Sequence, residues 1–391
     1  MRFKKIIYIR YIPLTAKIYK DFYMQEALQA GIEVEYWDIT ALFFKNTFGQ
    51  EDSSHLTNTH KFASYKELEQ AILFEQPLSK TLFISIMTFE GRVGKLYRLF
   101  TKYDCTLAVF GRNMFPLPYA NNSPFIKRIS RLNLLKLINY FQTKNVIRQK
   151  LAGKIKGYDI LFLGGELGWK GVGCIDYSEV NSAELVRVNS DDYDRCVNYE
   201  DVKPLLKGDY ILFLDEYLPL HPDVKLLGLK NIKPEQYYPD LCRYFEKVET
   251  QFGLPIVIAA HPKALKYKED DYFVGRKVYF GKSAELSKYA YFVIAHDSTS
   301  INYAIIFGKR LQFISSVNID RGINSVHRNV INLANFLGCN FQWFDKDDLT
   351  NVVEVLPEEN YRNYKYKFLT SNLTENKISK DIFINFVTND K

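Results

Sequence analysis

Few cysteines, no long apolar run and, over one long stretch, no acidic residue mark this chain of 391 residues. The five cysteines (Cys105, Cys174, Cys196, Cys242 and Cys339) are scattered, with no CxxC pair among them. That excludes a zinc ribbon and a disulfide framework, and fits reduced thiols in a cytoplasmic protein. No segment approaches the roughly 18 consecutive apolar residues of a membrane span. Arg10 interrupts the first apolar run, Ile6–Ile9, too early for a signal peptide, so that run is expected to be the first buried strand. Neither an internal repeat nor a low-complexity tract is visible.

The acidic gap runs from Cys105 to Tyr158 and holds ten lysines and arginines, more than the whole net charge of +7. The basicity is therefore local. Inside it, Ser123-Pro124 opens a helix pattern in which Phe125, Ile129, Leu132, Leu135 and Ile138 recur at helical spacing. Lys127, Arg128, Arg131 and Lys136 fall between them. A basic amphipathic helix of this kind suits an anionic membrane surface, so residues 123–156 suggest peripheral attachment to the inner face of the cytoplasmic membrane. A helix packed on its own domain fits the same pattern. No recognised nucleic-acid motif accompanies the charge, and no nucleic-acid partner is expected.

Short apolar runs alternate with helical patterns. Ile6–Ile9, Val34–Trp37, Thr81–Ile86, Thr106–Phe110, Asp159–Leu163 and Leu185–Val188 read as buried parallel strands, with helices such as Ile18–Ala30, Tyr65–Phe74 and Arg92–Lys102 between. The pattern restarts at Tyr210–Leu214 and continues through Pro255–Ala260, Lys277–Phe280, Tyr291–Ala295 and Arg310–Ile314. The expected fold class is α/β, with two Rossmann-like domains facing a central cleft. The expected divisions are residues 1–204, 205–356 and a helical tail, 357–391, folding back on the first domain.

Ligands of open parallel sheets sit beyond the carboxyl ends of the strands. Three polar clusters occupy such positions in the second half. Asp215-Glu216 follows the first strand and offers a general base. His261-Pro262-Lys263 follows the next, with an imidazole suited to a phosphate oxygen or a leaving group. Ser298-Thr299-Ser300 precedes a short helix expected over Asn302–Phe307 and closed by Gly308. One hydroxyl caps such a helix, and the others, with free N–H groups of the first turn, suit an anion.

This ordered set resembles the motifs of bacterial sialyltransferases and polysialyltransferases, inverting enzymes of the GT-B architecture that use CMP-activated nonulosonic acids. In those families the acidic motif usually ends in Gly, where this chain has Tyr217. The resemblance spans Leu212 to Ile314. The His-Pro and Ser/Thr clusters also resemble the CDP-glycerol polyol-phosphate transferases of wall teichoic acid synthesis. The sialyltransferase resemblance implies transfer of a sialic acid-like or Kdo sugar from a CMP donor to a hydroxyl of a bacterial surface glycan, lipid-linked or free, and the other implies polyol-phosphate transfer from a CDP donor as the alternative. Asp215 or Glu216 would be the base. His261, Pro262, Lys263, Ser298, Thr299 and Ser300 would hold the departing CMP phosphate, with Lys263 near the donor carboxylate. No metal or other cofactor is expected, because the leaving group carries a single phosphate. A sugar-nucleotide epimerase or binding protein on the same scaffold is the further alternative.

Other motifs are set aside. Gly275–Ser283 resembles a P-loop but has one residue too many between its glycines. Asp192-Tyr193-Asp194 matches the DxD metal signature, which is frequent by chance. Gly164-Gly165-Glu166 suits a turn, with Glu166 a weak cleft candidate, and His221 and His296 suit structural or surface places.

Overall fold

The computed structural model describes residues 1–44, 58–75, 77–114, 134–197, 202–222, 232–346 and 355–389. Among them, two all-parallel sheets carry the fold. The first contains β1 (Lys5–Arg10), β2 (Glu33–Asp38), β3 (Thr59–Lys61), β4 (Thr81–Ser85), β5 (Thr106–Gly111), β6 (Ile160–Gly164) and β7 (Glu184–Val188). Their order is β3-β2-β1-β4-β5-β6-β7. The second contains β8 (Ile211–Leu214), β9 (Ile256–Ala260), β10 (Val278–Phe280), β11 (Val293–Ala295), β12 (Leu311–Ser315) and β13 (Asn340–Trp343), in the order β10-β9-β8-β11-β12-β13. In both, the first strand lies inside the sheet and the chain winds to one edge before crossing to the other side. That is the Rossmann order, and its occurrence twice in one chain is the GT-B-like pattern expected from the sequence.

Alternation explains why these runs become strands. Ile7 and Ile9 of β1 enter one apolar cluster, while Ile6 and Tyr8 enter another on the opposite face. Each such side chain contributes about 1.5–3 kcal/mol on burial, so a run apolar on both faces is stable only inside a covered sheet. The edge strands β3 and β13 escaped the sequence reading because they are short and half-exposed, with no continuous apolar run.

The helix expected over Ile18–Ala30 is two helices, Ala16–Asp21 and Met24–Gln29. Tyr23 breaks it with φ of 58°, and its ring is held in the core beside Phe110 and Phe383. In the basic stretch, a helix spans Leu134–Leu151, anchored by buried Val146 against Gly94. Lys127, Arg128, Arg131 and the side chain of Lys136 lie outside the described residues, so the membrane-facing expectation rests on the sequence alone. Among the described residues, no helix is long and apolar enough to cross a membrane.

Contacts divide the chain into two compact units. One runs to Asp194 and takes in Lys367–Lys391; the other is built on Arg195–Tyr366. These divisions stand earlier than 204 and later than 357, and Asp194 shows why the first unit ends where it does. Its Oδ1 accepts hydrogen bonds from Ser379 N (3.1 Å), Ser379 Oγ (2.9 Å) and Asn189 Nδ2 (3.0 Å). Asn189 also donates to the Lys377 carbonyl at 2.7 Å and accepts from Thr370 Oγ1 at 2.6 Å. The helix Ser379–Thr388 is thereby fixed in the first unit, with Phe383 and Val387 fully buried. The DxD match is thus structural at its second aspartate. Gly165, at φ +72°, lets the backbone at Lys367 approach so closely that a Cβ would lie 2.6 Å from its carbonyl oxygen, which makes Gly164-Gly165-Glu166 a docking turn.

Replacing Asp194 by Ala leaves several buried donors without an acceptor. Equilibrium unfolding should show a loss of about 2–4 kcal/mol. Limited proteolysis should cut the C-terminal segment first. Equal resistance of wild type and variant would show that Asp194 does not hold that segment.

Candidate functional site

The second sheet sets the site's geometry through its register. Leu214 of β8 pairs with Ala259 of β9 on one side and with Ala295 of β11 on the other. Two residues beyond this row stand Glu216, His261 and Asp297. One residue beyond it stand Asp215, Ala260 and His296. Because side chains alternate along a strand, the two rows present opposite faces. Ile211, Phe213, Ile258, Ala260 and Ile294 all belong to the unit's aromatic core, so the row of Asp215 and His296 continues the core face. The row of Glu216, His261 and Asp297 continues the other. β8 and β11 are also the strands between which the winding of the sheet reverses, where open α/β sheets form their ligand crevice.

Asp215 is buried, with 4% of its surface exposed. Among the described residues neither of its oxygens makes a hydrogen bond of good geometry, although the Tyr267 hydroxyl and the N–H groups of Tyr217, His261 and Glu216 lie near enough to favour its charge. Burial outweighs them and pushes its carboxyl up to about 6. His296 is fully buried and structural. Its Nδ1 donates to the Ile314 carbonyl at 2.8 Å, which leaves Nε2 to accept from the Tyr237 hydroxyl at 2.8 Å. Burial lowers its pKa to about 4, so it is neutral.

Glu216 is part-buried and faces Asp297. Loss of solvent and the neighbouring Asp297 carboxylate raise its pKa well above the carboxylate range, and burial raises that of Asp297 as well. Asp297 accepts a hydrogen bond from Asn329 Nδ2 at 2.9 Å, which favours its charge. Of the two carboxyls, Glu216 is thus the one pushed harder toward its neutral form, while Asn329 favours the charge of Asp297. Sequence reading missed Asp297, although it stands between two quoted clusters. The signal was positional, two residues past the β11 row. Asn329, from the helix Asn324–Leu337, gave no signal at all.

His261 is held in one tautomer. The backbone N–H of Lys263 donates to its Nδ1 at 3.2 Å, so the neutral ring carries its proton on Nε2. The ring of His221 crosses it at 4.9 Å and 73°, which brings His221 to the site's edge. Pro262 and Lys263 are exposed and shape the turn. Among the hydroxyls, Ser298 is buried and accepts from the Ser300 N–H at 3.3 Å, Ser300 is part-buried, and Thr299 is exposed.

The following helix runs Ile301–Ile306, one residue earlier than expected, and Gly308 at φ +61° lies just past its end. No hydroxyl caps it. The N–H groups of Ile301, Asn302 and Tyr303 bond to the carbonyls of Ser298, Thr299 and Ser300 in a tight turn. The free amides expected at this helix start are therefore taken, and what the segment offers a ligand is its hydroxyls.

Tyr217 stands where the resembled families place Gly, and it keeps the backbone that Gly favours, with φ of 58°. Its ring is buried edge-on to Tyr267 at 5.1 Å. The departure changes the packing under the acidic pair and leaves the turn intact. The stretch Gly275–Ser283 contains β10 and is no P-loop. Among the described residues, no group of three or more His, Cys, Asp or Glu side chains could hold a metal ion.

By sequence, no known family and no curated protein matches the chain. Several solved structures resemble it in backbone at low identity. The wall teichoic acid polymerase TagF is 14% identical, over 98% of this chain and 88% of its own, with a TM-score of 0.49. MnaA of S. aureus, solved with UDP, is 14% identical over 98% and 96%, with a TM-score of 0.45. The UDP-GlcNAc 2-epimerase of Methanocaldococcus jannaschii, in complex with UDP-GlcNAc and UDP, is 11% identical over 98% and 100%, with a TM-score of 0.43. Likeness of this degree assigns no activity.

Proposed function

We propose that the chain is an inverting glycosyltransferase that moves a nonulosonic acid-type sugar from a CMP donor to a hydroxyl of a glycan. The observation that carries this reading is the single row of Glu216, His261 and Asp297 at the switch point of the second sheet, with Ser298 and Ser300 beside it. The acceptor oxygen attacks the anomeric carbon as the bond from that carbon to the phosphate oxygen of CMP breaks. The acceptor proton passes to the Glu216–Asp297 pair, which holds one proton and one negative charge and so has room for a second proton. The electron pair of the broken bond stays on the CMP phosphate. His261, with Nε2–H as its donor, and the hydroxyls of Ser298, Thr299 and Ser300 stabilise that charge. In-line attack inverts the anomeric centre.

Of the two candidate bases, this reading takes Glu216, with Asp297 as its partner, over Asp215. The oxygens of Asp215 are closed off from solvent, and its side chain continues the core face, so an acceptor hydroxyl has no route to it. Asp215 then serves as a buried support beneath the row.

A thermal-shift series with CMP, CDP, UDP and GDP tests the donor. Cytidine nucleotides should raise the melting temperature, and CMP alone should suffice. A response to UDP without CMP would redirect the reading to UDP-sugar chemistry, epimerisation included. Phosphorus in the isolated product would decide for polyol-phosphate transfer instead.

Substituting Glu216→Gln or Asp297→Asn should lower turnover by about 100-fold or more while CMP affinity holds. Full turnover in both variants would remove the pair from the mechanism.

Stability against pH isolates Asp215. Its folded pKa lies above the unfolded value, so its contribution is fully present below about pH 4 and is lost as pH rises through about 6. The swing for a shift of this size is about 3 kcal/mol. Between about pH 4 and 7 the unfolding free energy of the wild type should therefore fall more steeply than that of Asp215→Asn. Parallel curves would show that Asp215 does not titrate in this range.

A further inference from the structure

The first sheet carries a second crevice at the same topological place, with the opposite charge. β1 and β4 are its switch-point strands, as β8 and β11 are in the second. β1 ends on Arg10, β4 ends on Ser85, and a cavity of about 330 Å³ lies over these ends. Arg10, Ser85, Thr88 and Arg112 are the polar residues that line it, with Tyr11 and Phe110 among its aromatic ones. A volume of this order holds a monosaccharide-sized ligand.

The two arginines differ. Arg112 is spent on the fold. It is ion-paired with Asp191 at 3.1 Å, donates to the Tyr23 hydroxyl at 2.5 Å and to the Asp21 carbonyl, and sits among the rings of Phe22, Tyr23 and Phe110. Among the described residues, Arg10 makes no ion pair and no side-chain hydrogen bond, although it is part-buried. Asp38 stands beside it in register, but the Asp38 carboxylate is turned to the backbone N–H and hydroxyl of Thr40. Ser85 is spent on the fold as well: it pairs in register with Ile9, and its oxygen accepts from the Tyr97 hydroxyl at 2.9 Å within the cluster of Ile9 and Phe83.

A part-buried guanidinium with its donor fork unused, over a cavity, is arranged for an oxyanion. We propose that this crevice binds a sugar-sized ligand bearing a carboxylate or a phosphate, with Arg10 holding the anionic group. This site is argued from the first unit alone and does not depend on the donor reading of the second.

Isothermal titration of the full chain with glucuronate, glucose 6-phosphate and glucose tests it. One of the two anionic sugars should bind and thereby name the group, while glucose should bind at least about ten-fold more weakly. Arg10→Ala should weaken the anionic sugar about ten-fold or more, and Arg10→Lys, which keeps charge but not the planar fork, by less. Binding of glucose as tight as its charged relatives, binding of none of the three, or unchanged affinity in the Arg10 variants would overturn the proposal. Should Arg10→Ala fail to fold, unchanged affinity in Arg10→Lys overturns it. The cytidine-nucleotide response is read separately. A chain that takes the anionic sugar but no nucleotide loses the transferase reading alone.

Discussion

Parallel pairing on both sides of β8 is the constraint on which the rest of the second unit depends. Four buried residues, Ile211 to Leu214, lock to β9 on one edge and β11 on the other. Once Leu214 is paired with Ala259 and Ala295, the segments that carry Glu216, His261 and Asp297 leave the sheet from one row. A slip of one residue in any of the three would send its polar group into the aromatic core and bring a core residue into the crevice. The hydrophobic alternation that stabilises the sheet therefore also positions the chemistry. No loop has to be specified independently for Glu216, His261 and Asp297 to meet.

What meets there is costly to keep folded. Asp215, Glu216 and Asp297 all lie where burial disfavours their charge, and no cation is among the groups that shift them. Keeping Glu216 toward its neutral form beside Asp297 reduces the cost, and Asn329 favours the charge of Asp297. The aromatic wall around Asp215 does the reverse, since Tyr217, Tyr237, Tyr238 and Tyr267 exclude water more than their hydroxyls solvate. Acids raised in this way are poised to exchange protons near neutral pH, whereas the same groups in water would be fully ionised. His261 is tuned differently. A backbone amide fixes its tautomer, so it presents a donor at Nε2 regardless of its neighbours.

The α/β class, eleven of the strands and the three polar clusters were legible because each depends on local pattern: an apolar run, then a change to polar residues at its end. The edge strands β3 and β13 were not, because neither has two apolar residues in succession and so carries no run to see. The choice between Asp215 and Glu216 was also hidden. It depends on register, a relation among residues far apart in the chain, and a strand of four residues does not announce which of its faces is the core. The Ser-Thr-Ser triplet shows the limit from the other side. It marks the right strand end, yet its carbonyls and not its hydroxyls satisfy the helix start. Tyr217 is the most instructive position. Its left-handed backbone and its buried ring make opposite demands, since the first favours glycine and the second a large aromatic. The aromatic prevails because burying it is worth several kcal/mol, against about 1–2 kcal/mol for the backbone conformation.

The two sheets share one topology and differ in what their first strands deliver. β8 delivers an acidic pair, and the strands beside it answer with a carboxylate and an imidazole. β1 delivers an arginine. The same backbone geometry thus sets carboxylates at the switch point of one unit and an arginine at that of the other. Each unit also meets its electrostatic cost within itself. The first binds its deep cation, Arg112, to Asp191 and leaves Arg10 open, while the second keeps its acids close and Glu216 toward its neutral form. Charge of one sign at the mouth of each sheet follows from which polar residue ends a buried strand, and such a residue can change without disturbing the apolar run that makes the strand.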